Sequence, residues 1–327
     1  MAEQDLNGDD HAIIAGVGQY TDTSLSSLPG ARDDAGRFHR WVIHPRGGGV
    51  PRENVWVFPE HARALDATHA ALNDAFRALC KRGAGKSRLG RRLYLYLSGH
   101  GIAQHVEEAS LLAADGGPLD WSLHIPGEAY VRWFQYSAYF DQVVLFADCC
   151  RSARRDVPVQ SFPLAAVHCA DQKEVIVVRG FAAQYGQEAL ELENHGVFTD
   201  ALLEALERAS GRDGRITALT VQQYLYNHPR LQQWQVLPRF ALIGDVAQVA
   251  FGSGEEQRFP VRFQVASGAR LTLQGGPWTE PWAPELAGKG PHQVRLPRGI
   301  YAAKAGGRTR YFEVTGAPQE EDQLVSI

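Results

Sequence analysis

The 327-residue chain is short of several things, and each shortage excludes a class of protein. No apolar stretch is long enough to span a bilayer, and the first ten residues, polar and acidic, carry no secretory pattern. No long basic run is present and the formal net charge is -4, which argues against nucleic acid or an acidic membrane as the partner. Cysteine is sparse: Cys80, Cys149, Cys150 and Cys169. They include no Cys-x-x-Cys pair to suggest zinc, and adjacent cysteines are poorly placed to bond each other. Free thiols in a reducing, cytoplasmic setting are the simplest account, with Cys80 and Cys169 expected as packed small hydrophobes.

What is present reads as alternating strands and helices. Apolar runs begin at His11, Val55, Leu93, Val143 and Glu174, and Arg239-Phe-Ala-Leu242 is a candidate last strand. Between them lie helical patterns through Phe38 and Trp41, from Thr68 to Cys80 with Thr68 or Asp66 as cap, and from about Glu128 to Phe140. Further helical patterns run from Phe198 to Leu206 and from Leu219 to Tyr226. This alternation predicts an α/β fold, a mostly parallel sheet with helices on both faces, over residues 1–252. After about Gly252 short strand-like runs alternate with Gly/Pro-rich turns, so residues 253–327 are expected to form a small, sandwich-like β module. Its segment Gly275-Gly-Pro-Trp278-Thr-Glu-Pro-Trp282 offers two tryptophans, either as a binding surface or as packing.

Two of the apolar runs end in reactive side chains: Leu93-Tyr-Leu-Tyr-Leu97-Ser-Gly-His100-Gly101 and Val143-Val-Leu-Phe-Ala147-Asp148-Cys149-Cys150-Arg151. Open α/β sheets place their sites at the carboxyl ends of such strands. A thiolate attacks a carbonyl, and an imidazole takes the thiol proton and returns it to the departing amine. Neighbouring strand residues point to opposite faces, so only one of Cys149 and Cys150 can face His100.

With these motifs, and with Gly30-Ala-Arg-Asp-Asp34-Ala and His195-Gly-Val-Phe-Thr199, the chain resembles the caspase-like cysteine peptidases from about His11 to about Leu242. The likeness is closer to the bacterial and metacaspase branch than to animal caspases. His100 lies fifty residues before Cys150, a separation already known for the caspase histidine. The resemblance implies Cys150 as nucleophile, His100 as base and then acid, and an oxyanion hole at the amides of Gly101 and Cys150. It also implies substrate contacts from residues 181–186. Cys149 stands where the family has alanine or serine, and Ser152-Ala153 replaces its usual glycine-containing ending.

Animal caspases bind aspartate through arginines, with glutamine two positions before the nucleophile; here that position is Asp148, and Asp34 matches a second pocket acid of metacaspases. Two carboxylates repel an acidic side chain and hold a guanidinium. Cleavage is therefore expected after Arg, then Lys, with Asp34 and Asp148 binding substrate; the plainer roles are a helix cap for Asp34 and a loop anchor for Asp148. Arg154 and Arg155, with Lys173 further on, are candidate processing sites, cut by the chain itself or by an upstream activating peptidase. Some bacterial relatives sit in defence or cell-suicide cascades activated in that way, and the resemblance implies a zymogen or cascade effector of that kind here. The expected partners are protein substrates, with no nucleic acid and no membrane. No metal or cofactor is expected; some metacaspases need calcium, but no EF-hand spacing is present. The alternatives are a catalytically silent scaffold of the same fold and a cysteine hydrolase acting on small amides.

Overall fold

The computed structural model describes residues 8–59, 66–83, 88–165, 174–211, 214–253, 259–265, 269–275, 278–284, 291–297, 299–314 and 323–327. Two units emerge: Met1–Leu206 with Thr217–Gly252, and Glu207–Ile216 with Ser253–Ile327.

The first unit is built on a six-stranded sheet. Its strands are β1 (His11–Val17), β2 (Val55–Phe58), β3 (Gly90–Gly99), β4 (Phe140–Cys149), β5 (Ile176–Phe181) and β6 (Arg239–Ile243), in the order β6-β5-β4-β3-β1-β2. Every pairing is parallel except that of β6 with β5. The helices are α1 (Pro29–Ile43), α2 (His69–Arg82), α3 (Gly127–Ser137), α4 (Val197–Arg208), α5 (Ala218–Tyr226) and the short α6 (Pro229–Gln233).

Strand pleating sends alternate residues to opposite faces, and both faces are buried. Ile13, Leu95, Leu97, Val143, Leu145 and Cys149 join Phe76 of α2 and Tyr130 and Phe134 of α3 in one core. On the other face Tyr96 and Phe146 pack on Phe38 of α1, with ring centroids 4.5 and 6.1 Å apart, and the Tyr96 hydroxyl meets Thr199 of α4 at 2.6 Å. Each such side chain, fully buried, contributes about 1.5–3 kcal/mol over leaving it in water.

Local signals set the helix ends. Pro29 opens α1, where the missing N–H costs nothing, and the Thr68 hydroxyl accepts from the Ala71 amide at 3.3 Å to start α2. Asp66 does not cap α2; its carboxylate accepts from the Gly18 and Gln19 amides and pairs with Arg32. Helix α3 stops at Ala138, which takes a left-handed conformation (φ 49°), so Phe140 begins β4 where the helical pattern alone carried the helix onward. A second, four-stranded sheet of very short strands (Gly101–Ala103, Ser110–Leu112, His124–Pro126, Ser152–Ala153) continues directly from the tips of β3 and β4.

Beyond the last residues of α4, the described part of the second unit is built of strands. The strands His292–Leu296, Phe259–Gln264 and Gln323–Ser326 form one sheet, and Trp278–Trp282, Thr272–Gly275, Gly299–Ala305 and Arg308–Val314 form another. Phe263, Leu273, Leu296, Tyr301 and Val325 of both sheets share one core.

Candidate active site

Strands β3 and β4 pair in register with Ser98 opposite Asp148 and Gly99 opposite Cys149. The next residue on each chain is His100 and Cys150, so the two lie side by side at the carboxyl edge of the sheet. Both line one cavity of about 430 Å³. The pleat divides the neighbouring cysteines: Asp148 and Cys150 line the cavity, whereas Cys149, 1% exposed, joins the core on the other face. Burial raises the pKa of the Cys149 thiol strongly. Burial also raises that of Cys150, helped by the nearby Glu188 and Asp148 carboxylates, while the Ala189 backbone N–H at its sulfur opposes the shift.

His100 is held at both ends by residues 18–28. Its backbone N–H donates to the Tyr20 hydroxyl at 2.7 Å, which donates in turn to the Val17 carbonyl at 3.0 Å, and the two rings lie 5.0 Å apart. Its ring Nε2 stands 2.8 Å from the Ser26 carbonyl oxygen. A carbonyl only accepts, so Nε2 is the donor here, and in the neutral ring that leaves the Nδ1 lone pair to take a proton. Buried Asp66 ties this loop down through the Gly18 and Gln19 amides, and the Thr21 amide donates to the Ala114 carbonyl at 2.8 Å. Neither Ser26 nor Tyr20 was legible as a site residue, because a backbone carbonyl has no sequence signature and a tyrosine in a loop has many uses.

Gly101 and the Cys149–Cys150 segment are in backbone contact. A Cβ at residue 101 would fall 2.3 Å from the Cys150 carbonyl oxygen and 2.9 Å from the Cys149 sulfur, so only glycine fits. Arg151 fixes the chain just beyond the thiol. Its guanidinium, fully buried, donates to the carbonyls of Val106 at 2.5 Å, Glu108 at 3.0 Å and Ala183 at 3.2 Å, and lies 4.8 Å over the Phe181 ring.

Part of the cavity lining is acidic. Asp34, from α1, and Asp148, from β4, are 1% and 6% exposed and flank Gly196, where a Cβ would lie 2.0 Å from an Asp148 oxygen and 2.9 Å from an Asp34 oxygen. Asp34 accepts from the Gly196 amide at 2.7 Å and from Arg37 at 3.3 Å; Asp148 accepts from the Thr199 amide at 3.1 Å and hydroxyl at 2.6 Å. Burial, then the Asp148 charge, pushes Asp34 up to about 8, and burial pushes Asp148 up to about 6 against the pull of its Thr199 bonds. Glu188 and Glu191 line the same cavity. From this part of the chain residues 188–191 line the cavity, and the expected contact segment at 181–186 is not in its lining.

Arg154 and Arg155 sit on an ordered turn. Arg154 lies 4.2 Å over the Trp121 ring and pairs with Asp156 at 3.0 Å, and Arg155 reaches the Tyr185 hydroxyl at 3.0 Å. Cys169 and Lys173 lie outside the described residues, as does the Trp278 side chain. Cys80 is buried and free, as a small packed hydrophobe. Among the described residues, Asp33, Asp34 and His195 bring potential metal-ligand atoms within 4.8 Å of one another, but the Arg37 cation already occupies the Asp34 oxygen on that side. No described helix is long and apolar enough to cross a membrane.

A strand-end thiol beside a strand-end imidazole on a mostly parallel sheet is the arrangement of a caspase-fold cysteine peptidase. The chain belongs to the caspase domain family, matched over residues 9–235, and is a cysteine peptidase acting on protein substrates. No curated protein matches it. Among solved structures it is similar to caspase-1 of Spodoptera frugiperda, at 14% identity, TM-score 0.47, covering 76% of this chain and 92% of that one. It is also similar to a Geobacter sulfurreducens protein, at 17% identity, TM-score 0.48, covering 75% of this chain and 99% of that one.

Proposed function

We propose that the chain is an endopeptidase that cuts after basic residues, Arg before Lys, through an acyl-enzyme on Cys150. The observation that carries this reading is the pair of buried carboxylates, Asp34 and Asp148, in the same cavity as His100 and Cys150. His100 takes the Cys150 proton on Nδ1 while Ser26 holds Nε2, the sulfur bonds to the carbonyl carbon, and the oxyanion is met by the amides of Gly101 and Cys150. The proton then passes from His100 to the leaving amine, and water releases the acid. An arginine side chain entering between Asp34 and Asp148 displaces the proton they hold and forms charge-assisted bonds. An aspartate there meets two carboxylates, and the nearby Arg37 guanidinium is already paired with Asp34.

Processing near Arg154 and Arg155, as in a zymogen activated by itself or by an upstream peptidase in a cascade, belongs to the same proposal, since both residues are basic and follow the nucleophile directly. So does independence from calcium and other cofactors. Peptides ending in Arg, Lys or Asp before a reporter amine test the reading. Turnover in the order Arg, Lys, with Asp uncut, supports it. No turnover of any of them after limited proteolysis and with calcium supports the silent scaffold, and turnover of simple amides without dependence on peptide length supports a small-amide hydrolase.

A further inference from the structure

The lining of the cavity is chemically mixed. Besides the carboxylates it carries an apolar cluster: Leu25, Ile102, Leu112 and Trp121. Ile102 and Leu112, each 1% exposed, form a small cluster with Val157, and Leu25 and Trp121 pack on it while remaining partly exposed. Arg154 covers a face of Trp121 and is matched by Asp156, so its charge beside this cluster is compensated.

This wall is tied to the histidine. Leu25 precedes Ser26, whose carbonyl holds the ring; Ile102 follows His100 by two residues; the Leu112 amide donates to the His100 carbonyl at 2.9 Å. Chemistry then assigns the wall a side of the scissile bond. As the sulfur–carbon bond forms and the carbon–nitrogen bond breaks, the amine must take its proton from the imidazole. The amine therefore lies within hydrogen-bond reach of His100, and the residue that begins with that nitrogen emerges on the histidine side.

We infer that Leu25, Ile102, Leu112 and Trp121 form a subsite for the residue after the cut, and that the preferred bonds join a basic residue to a large aliphatic or aromatic one. The inference rests on the proposed roles of His100 and Cys150. Apolar pockets discriminate by about tenfold or more between a filling side chain and none.

The test uses the full chain carrying Cys150→Ala and labelled peptides identical except at the position after Arg, which is Leu, Trp, Gly or Asp, with a parallel set in which Gly replaces Arg. Fluorescence anisotropy should show the Leu and Trp peptides binding about tenfold tighter than Gly or Asp. Trp121→Ala and, on a separate loop, Leu25→Ala should each shrink that gap, and wild-type kcat/KM on the unlabelled peptides should rank in the same order. Equal binding of the Leu and Gly peptides, tighter binding of Asp, or no binding by any peptide overturns the subsite. A Leu preference that persists while replacing Arg with Gly costs no affinity keeps the subsite and instead defeats the basic-residue reading.

Discussion

Replacing Asp34 with Asn probes the acid pair without changing its shape. In the folded chain Asp34 holds its proton up to about 8, while unfolded it ionises around its ordinary value of 3.8. Between those values the native state binds the extra proton, so this group makes the protein less stable as pH rises, the reverse of an ion-paired carboxylate. Each pH unit in that window costs about 1.4 kcal/mol, so pH 5 to pH 7 costs ~3 kcal/mol at a site with 1% exposure. Asn is neutral in both states, and its oxygen can still accept from the Gly196 amide. Urea unfolding followed by tryptophan fluorescence should therefore show the variant gaining on the wild type by ~3 kcal/mol over that range, with unchanged denaturant slope. A difference independent of pH would mean that Asp34 is already ionised in the fold, and the reasoning on the pocket would fail. The same proton links pH to substrate: KM for Arg peptides should fall as pH rises toward about 8, because less of the free enzyme must give up a proton to bind.

Tyr20→Phe removes the hydroxyl between the His100 amide and the Val17 carbonyl, leaving both without that partner, at a cost of about 1–3 kcal/mol. Because the group touches no substrate, the loss should appear as a roughly ten- to hundredfold drop in kcat with little change in KM; unaltered kcat would deny it a positioning role. Gly101→Ala drives a methyl to 2.3 Å from the Cys150 carbonyl oxygen, so peptide turnover should vanish and the melting temperature should fall. Wild-type turnover in that variant would refute the close approach of the two strand tips.

The parallel sheet was legible because its strands are long, buried on both faces and almost uninterrupted by polar residues, as in 93–97 and 143–147. That His100, Cys150, Asp34 and Asp148 meet in one cavity was legible from the two strand-end motifs and, for the two acids, from the family resemblance. The second sheet was not, since strands such as Ser152–Ala153 and Gly101–Ala103 are too short to show a period. Ser26 acts through its backbone, Tyr20 through a contact made 80 residues along the chain, and Asp66, a plausible cap by position, serves the loop at 18–28 instead. Glu188 and Glu191 line the cavity from a stretch without regular apolar spacing, so only the folded chain places them there.

Catalysis at this site turns on which sulfur reacts. Intact-mass and peptide-mapping analysis after treatment with an arginine chloromethyl ketone answers this directly. One adduct, on Cys150, present in Cys149→Ala and absent in Cys150→Ala, is the predicted result; an adduct on Cys149, or none on the wild type, contradicts it.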